Sequence, residues 1–237
     1  MMLYANGCSF TYGTGLPLKD RAWPFVLAEK LGIDSVETDA QRGVSNNYIV
    51  RSTITNLCEQ IAAGNKIDFV AIGMTAPNRK EHFIEKKNLL IHNIPSHEYH
   101  GNIQLDDATN KELNSFNSLY MKNFWSPVYD FHCYLIHLIT LQNFFKAHDI
   151  PYIIFNSLNL TPNLLEDSTF TELCEQSDMV NVYKLLDMKR IYEETTFFTY
   201  MYGKEMYYPI EGDERYMHPN EKAHAEWADI IYKAIGK

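Results

Sequence analysis

Three short apolar runs constrain this chain most. They cover residues 2–6, 67–72 and 152–155, and each stops close to a glycine or an asparagine: Gly7, Gly73 and Asn156. Runs bounded so sharply fit strands buried on both faces, as a parallel sheet covered by helices requires. The stretches between them have helical period. Trp23, Val26, Leu27 and Leu31 share a face before Gly32. Ile49, Ile54, Leu57 and Ile61 do so before Gly64-Asn65. Val128, Phe131, Leu135, Leu138 and Phe145, with Ile139 alongside, recur at three- and four-residue steps before Asp149-Ile150-Pro151. A short strand is expected over 35–39, and Pro219 is expected to open a last helix with Ala223, Trp227, Ile230 and Ile231 inward. Strands alternating with helices predict a three-layer α/β/α sandwich around a mainly parallel sheet.

In such sheets, sites form beyond the carboxyl ends of the strands. Gly7-Cys8-Ser9, Gly73-Met74-Thr75 and Asn156-Ser157 are therefore expected along one edge. A serine just past a strand is placed to act as a nucleophile, but its hydroxyl needs a base to take the proton. A histidine tuned near neutral pH is the usual base, oriented by a carboxylate or a carbonyl. His218, directly before Pro219, is the leading candidate. His224 lies inside the predicted helix and suits a structural role better. The developing oxyanion needs fixed donors. Backbone amides at Ser9 and in the turn at Gly43 are available, and Ser45 or Asn46 can cap the helix that follows.

The motifs occur in a familiar order. Gly7-Cys8-Ser9-Phe10 with Gly13 resembles the first motif of the SGNH (GDSL-like) hydrolases. Arg42-Gly43-Val44-Ser45-Asn46 resembles their second, Val70-Ala71-Ile72-Gly73-Met74-Thr75 stands in place of the third, and His218-Pro219-Asn220 resembles the histidine of the last. The resemblance implies a flavodoxin-like fold, with Ser9 as nucleophile and His218 as base. It puts the amides of Ser9 and Gly43 in the oxyanion hole, and implies hydrolysis of an ester or acetyl group with no required metal or cofactor. Two positions depart from the pattern. The family's third motif supplies an asparagine side chain where this chain has Thr75, with Asn78 three residues further on; either is a candidate donor. The family's aspartate sits three residues before its histidine, where this chain has Arg215. Asp213, Glu214 or a backbone carbonyl is left to orient His218, and Asp213 is taken as the third triad member. Asn46 and Arg79 are candidate substrate-binding residues, Arg79 because its planar fork suits a carboxylate or phosphate.

The rest of the chain narrows the function class. A net charge of −9 and no cluster of Lys and Arg argue against nucleic acid. No apolar run is long enough to span a bilayer, and no secretory signal is evident, so a cytoplasmic setting is expected. Cys8, Cys58, Cys133 and Cys174 are widely spaced and suggest neither a zinc knuckle nor a redox pair. His92, His97 and His100 with Glu98 match no zinc-site spacing. One domain is expected over residues 1–237, with insertions at about 76–125 and 158–212. The first insertion is expected to hold a short helix or extended segment over 84–92, then loop or irregular helix through the polar tract 106–117. The second is expected to hold helices near 169–175 and 178–192. Tyr99, Tyr120, Tyr129, Tyr200, Tyr202, Tyr207 and Tyr208 in or near these insertions suit stacking on sugar rings. The sequence thus reads as a serine hydrolase of a small acyl or O-acetyl ester, with a carbohydrate as the candidate carrier. The alternative is a catalytically impaired module of the same fold that binds a glycan or a protein partner. The oligomeric state is open.

Overall fold

The computed structural model describes residues 1–85, 89–93, 105–160, 179–208 and 218–236. Its centre is a five-stranded sheet built from β1 (Met2–Gly7), β2 (Ser35–Thr38), β3 (Phe69–Met74), β6 (Tyr152–Asn156) and β7 (Ile191–Tyr192). The strand order is β2-β1-β3-β6-β7, with every pairing parallel. All residues of β1, β3 and β6 are buried, as the continuous apolar runs require. The edge strand β2 is mostly exposed.

Alternation along the strands divides the core into two layers. Phe155 faces one side, where Trp23 of α2 (Trp23–Leu31) and Trp227 of α8 (Glu221–Ile235) meet its ring edge-on at 5.1 and 5.4 Å. Tyr4, Asn6 and Tyr152 face the other side. There Asn6 bonds α3 (Asn46–Ala62), and Tyr152 meets Phe145 of α5 (Pro127–Ala147) at 4.8 Å. This is the expected α/β/α sandwich. The chain runs from β1 outward to β2, then crosses back over β1 to β3. The switch of direction opens a crevice between the carboxyl ends of β1 and β3.

The observed strand β3 begins two residues later than the apolar run. Asp68 turns its carboxylate back to the Met2 amide at 2.7 Å and to Lys66 at 2.8 Å, which holds the lead-in outside the ladder. The described residues of 76–125 are more regular than their sequence suggests. Strands β4 (Lys80–Ile84) and β5 (Leu89–Asn93) form an antiparallel hairpin, and α4 spans Asp107–Asn123. The polar tract is helical because Asp106 caps it, accepting from the Thr109 amide at 2.9 Å, and because its polar face can stay in solvent. Phe116 of α4 docks on His82 of β4, ring to ring at 5.2 Å.

In the second insertion, residues 169–175 lie outside the described residues. The expected helix over 178–192 is cut to α6 (Met179–Lys184), and its end is a 3-10 turn followed by β7. The aromatic stretch forms α7 (Phe197–Gly203). Two-residue strands β8 (Tyr207–Tyr208) and β9 (His218–Pro219) pair antiparallel. The last helix starts at Glu221 rather than at Pro219, because Asn220 is its cap and Pro219 is held in β9. Among the described residues no helix is long and apolar enough to cross a membrane.

Candidate active site

The site is built where β1 and β3 end side by side. Gly7 is paired with Gly73, Met74 with Asn156, and the Ser157 amide donates to the Met74 carbonyl at 2.8 Å. Contact dictates both glycines. A Cβ on Gly7 would lie 2.2 Å from Thr11 Oγ1 and 2.8 Å from the Gly73 carbonyl oxygen. A Cβ on Gly73 would lie 2.5 Å from Ser157 Oγ. With no side chains in the way, β1 runs straight into the one-turn helix α1 (Ser9–Tyr12), which Cys8 precedes and Gly13 (φ 71°) ends. Ser9 is the first residue of that turn and is 7% exposed. The Thr11 and Tyr12 amides close the turn on the Cys8 carbonyl at 2.9 and 3.0 Å, which leaves the Ser9 and Phe10 amides without an intrahelical acceptor.

The Gly43 loop is fastened to β1 from below. Tyr4 OH donates to Asp39 at 2.9 Å, and Tyr48 OH donates to the Asp39 carbonyl at 3.1 Å. The Gln41 side chain donates to Tyr48 OH, and the Gln41 amide donates to the Gly7 carbonyl at 3.2 Å. Burial, then the Asp39 charge, pushes the Tyr4 phenol far above its ordinary range, so it stays a neutral donor. Gly43 then makes its turn at φ 72°. Sequence reasoning missed this network. Only the placement of Asp39 and Gln41 just before the turn could have suggested it.

Asn46, expected to touch substrate, instead grips Thr75. Its Oδ1 accepts from the Thr75 amide at 2.8 Å, and its Nδ2 donates to the Thr75 carbonyl at 2.9 Å. Its cap role goes to Ser45, whose hydroxyl accepts from the Tyr48 amide at 3.3 Å. Thr75 is fully buried, and its hydroxyl has no hydrogen-bond partner among the described residues; the same holds for Thr11 and Ser157. Asn78 is half-buried in a turn closed by the Arg79 amide donating to the Ala76 carbonyl at 3.2 Å.

His218 reaches the same corner from the far end of the chain. It pairs with Tyr208 in the β8–β9 ribbon, and the ring of Phe10, the residue after Ser9, meets its imidazole edge-on at 5.8 Å. Asn220 anchors the segment: its amide donates to the Met206 carbonyl at 3.1 Å, and its side chain caps α8. From Phe10 a row of stacked rings leads outward, through Phe198 at 6.4 Å to Tyr202 at 5.7 Å and Tyr207 at 6.0 Å. His224 is fully buried, and its Nδ1 accepts from the Trp23 amide at 3.2 Å. Burial, helped by Lys19 and His218, pushes it down to about 3, so it stands neutral inside the core. Asp213, Glu214 and Arg215 lie outside the described residues, as do Tyr99, His97, Glu98 and His100. His92 packs edge-on against Tyr48 at 5.3 Å.

Residues 15–229 match the model of DUF6071, a family of unknown function, and the chain belongs to that family. Among solved structures it is similar to a psychrotrophic esterase, EstA, from Pseudoalteromonas sp., a structure inhibited by monoethylphosphonate. That match has 14% identity and a TM-score of 0.54, covering 99% of this chain and 96% of that one. It is also similar to TesA, at 13% identity and a TM-score of 0.50, covering 99% and 98% of the two chains. No curated protein sequence matches it. The likeness is one of fold: the chain has the fold of the SGNH (GDSL-like) lipolytic esterases.

Proposed function

We propose that this DUF6071 chain is a serine ester hydrolase acting on a small acyl or O-acetyl ester. The observation that carries the reading is the placement of Ser9. It stands at the carboxyl end of β1, in the crevice where the sheet changes direction, and Phe10 brings His218 to the same corner. In this reading Ser9 Oγ attacks the ester carbonyl while His218 takes its proton. The Ser9 and Gly43 amides receive the oxyanion. The alcohol leaves with the proton from His218, and water then hydrolyses the acyl-enzyme. Asp213 is the proposed partner of His218. Thr75 or Asn78 supplies the third oxyanion donor; the unpartnered Thr75 hydroxyl supports Thr75. Asn46 acts through Thr75 as a positioning residue. The ring row from Phe10 to Tyr202, which is 52% exposed, supports a carbohydrate on the alcohol side.

One observation favours the second reading, a binding module that has lost turnover: Ser9 is nearly closed and Thr75 wholly so. A fluorophosphonate probe discriminates, and suits a fold shared with a phosphonate-inhibited esterase. Labelling of the parent at Ser9, with p-nitrophenyl acetate turnover lost in Ser9→Ala while the fold is kept, is the expected result. No labelling at neutral pH, or equal turnover by parent and variant, would overturn the hydrolase.

A further inference from the structure

Arg79 closes the turn that follows Thr75, and its side chain goes inward. Its Nη1 is completely buried and has no hydrogen-bond partner, and no carboxylate pairs with it, among the described residues. The guanidinium lies within electrostatic reach of Cys8, the residue before Ser9, and of His92 on the hairpin. Arg79 follows Thr75 by four residues, in the turn that its own amide closes on Ala76, which keeps it near the strand ends that carry the site. Arg79 as a whole is half-buried; leaving the closed Nη1 donors unmet is costly, and a cation in that position calls for an anion. A planar fork with parallel donors suits a carboxylate or a phosphate.

A second observation points the same way. Tyr12, the last residue of the turn that Ser9 begins, carries two cations over its ring: Lys19 at 4.3 Å and Arg42 at 5.3 Å. Lys19 also donates to the Gly13 carbonyl at 2.7 Å, which holds it beside the site. In a chain of net charge −9, cations held at the end of the turn that Ser9 begins favour the approach of an anion to that side.

We propose that Arg79 receives a carboxylate or phosphate group carried by the ester substrate, so that the site selects anionic esters over neutral ones. The inference rests on the hydrolase reading for the word substrate, and on the Arg79 geometry for the anion.

The test compares kcat/KM of the full chain for mono-p-nitrophenyl succinate and for p-nitrophenyl acetate. The parent is expected to favour the succinate ester at least tenfold, and Arg79→Gln to bring the ratio close to one. An unchanged ratio in Arg79→Gln, or no preference in the parent, overturns the proposal. Thermal unfolding of the parent in succinate or in inorganic phosphate, against chloride at equal ionic strength, requires no variant to fold. Stabilisation by one anion alone identifies the group received, and stabilisation by neither overturns the proposal. If the parent turns over no ester yet an anion stabilises it and not Arg79→Gln, the anion site stands and the hydrolase reading falls. If turnover depends on Ser9 but shows no anion preference, the hydrolase reading stands and the anion site falls.

Discussion

Asn46 and Thr75 are joined through a single carboxamide, which takes the Thr75 amide on one end and the Thr75 carbonyl on the other. The pair links the first turn of α3 to the residue that follows β3. Both residues are almost wholly buried, so neither bond has water to replace it. Asn46→Ala leaves a buried donor and acceptor unmet. It is expected to lower the unfolding free energy by about 2–4 kcal/mol in urea titration. Turnover should fall as well, because the Thr75 loop is no longer held. Stability equal to the parent would show that the loop keeps its place by other means.

Two histidines six residues apart should behave in opposite ways. His218→Gln is expected to abolish ester turnover with little change in the urea midpoint, since His218 lies on a two-residue strand at the rim. His224→Gln should act on stability, because the imidazole is in the core and accepts from the Trp23 amide. A glutamine oxygen can replace that acceptor. Turnover loss in His224→Gln greater than in His218→Gln would reverse the two roles.

The same burial gives a pH prediction. Folded His224 titrates at about 3, below an unfolded value near 6.5. Between those values the unfolded chain binds one more proton than the folded one. The contribution of His224 is therefore complete above pH 6.5 and is lost as the pH falls toward 3. The slope is about 1.4 kcal/mol per pH unit. Urea titrations between pH 6.5 and 4 should show the parent losing stability more steeply than His224→Gln by about that slope. Parallel curves would take His224 out of the acid response.

The fold was legible because burial on both faces writes itself as uninterrupted apolar runs, and the runs at Leu3, Val70 and Ile153 are such runs. Ser9, Gly43 and His218 stood out because glycine turns and a histidine before a proline are local signals. The clamp from Asn46 to Thr75 was not legible, since an asparagine at a helix start reads first as a cap. Nor were α4 and β7. The first is a polar helix whose order comes from Asp106 and from the His82–Phe116 contact. The second has only two residues, and pairing with Ile154 and Phe155 defines it. Ser157 was expected on this edge, but Thr11 entered the site only through distance, and nothing in sequence says that both hydroxyls abut Gly73.

That abutment predicts a repairable lesion. Gly73→Ala drives a methyl to 2.5 Å from Ser157 Oγ and 3.0 Å from Thr11 Oγ1. Overpacking of this kind costs about 1–3 kcal/mol. Ser157→Ala removes the nearer atom, so the double variant Gly73→Ala with Ser157→Ala should recover part of the lost stability in a thermal melt. A double variant no better than Gly73→Ala alone would place the strain elsewhere, at Thr11 or the Phe155 ring.

Lys80 follows Arg79 directly and anchors the hairpin to α5. Its ammonium is paired with Asp130, which is 2% exposed and also accepts from Trp125 Nε1 at 3.2 Å. Removing one partner of a buried pair leaves the other charge uncompensated, so Asp130→Ala is expected to cost about 3–5 kcal/mol. Replacing both, Lys80→Met with Asp130→Leu, removes both desolvation penalties and should cost much less than Asp130→Ala alone. Hydrogen exchange adds the spatial readout. In Asp130→Ala, protection should fall first at β4 and at the Ala76–Arg79 turn, because the strand that begins beside Arg79 has lost its tether. Equal destabilisation by the single and the double variants, with exchange raised uniformly over the sheet, would make the pair a general contributor to stability. It would then not be the anchor that holds Arg79 in the turn after Thr75.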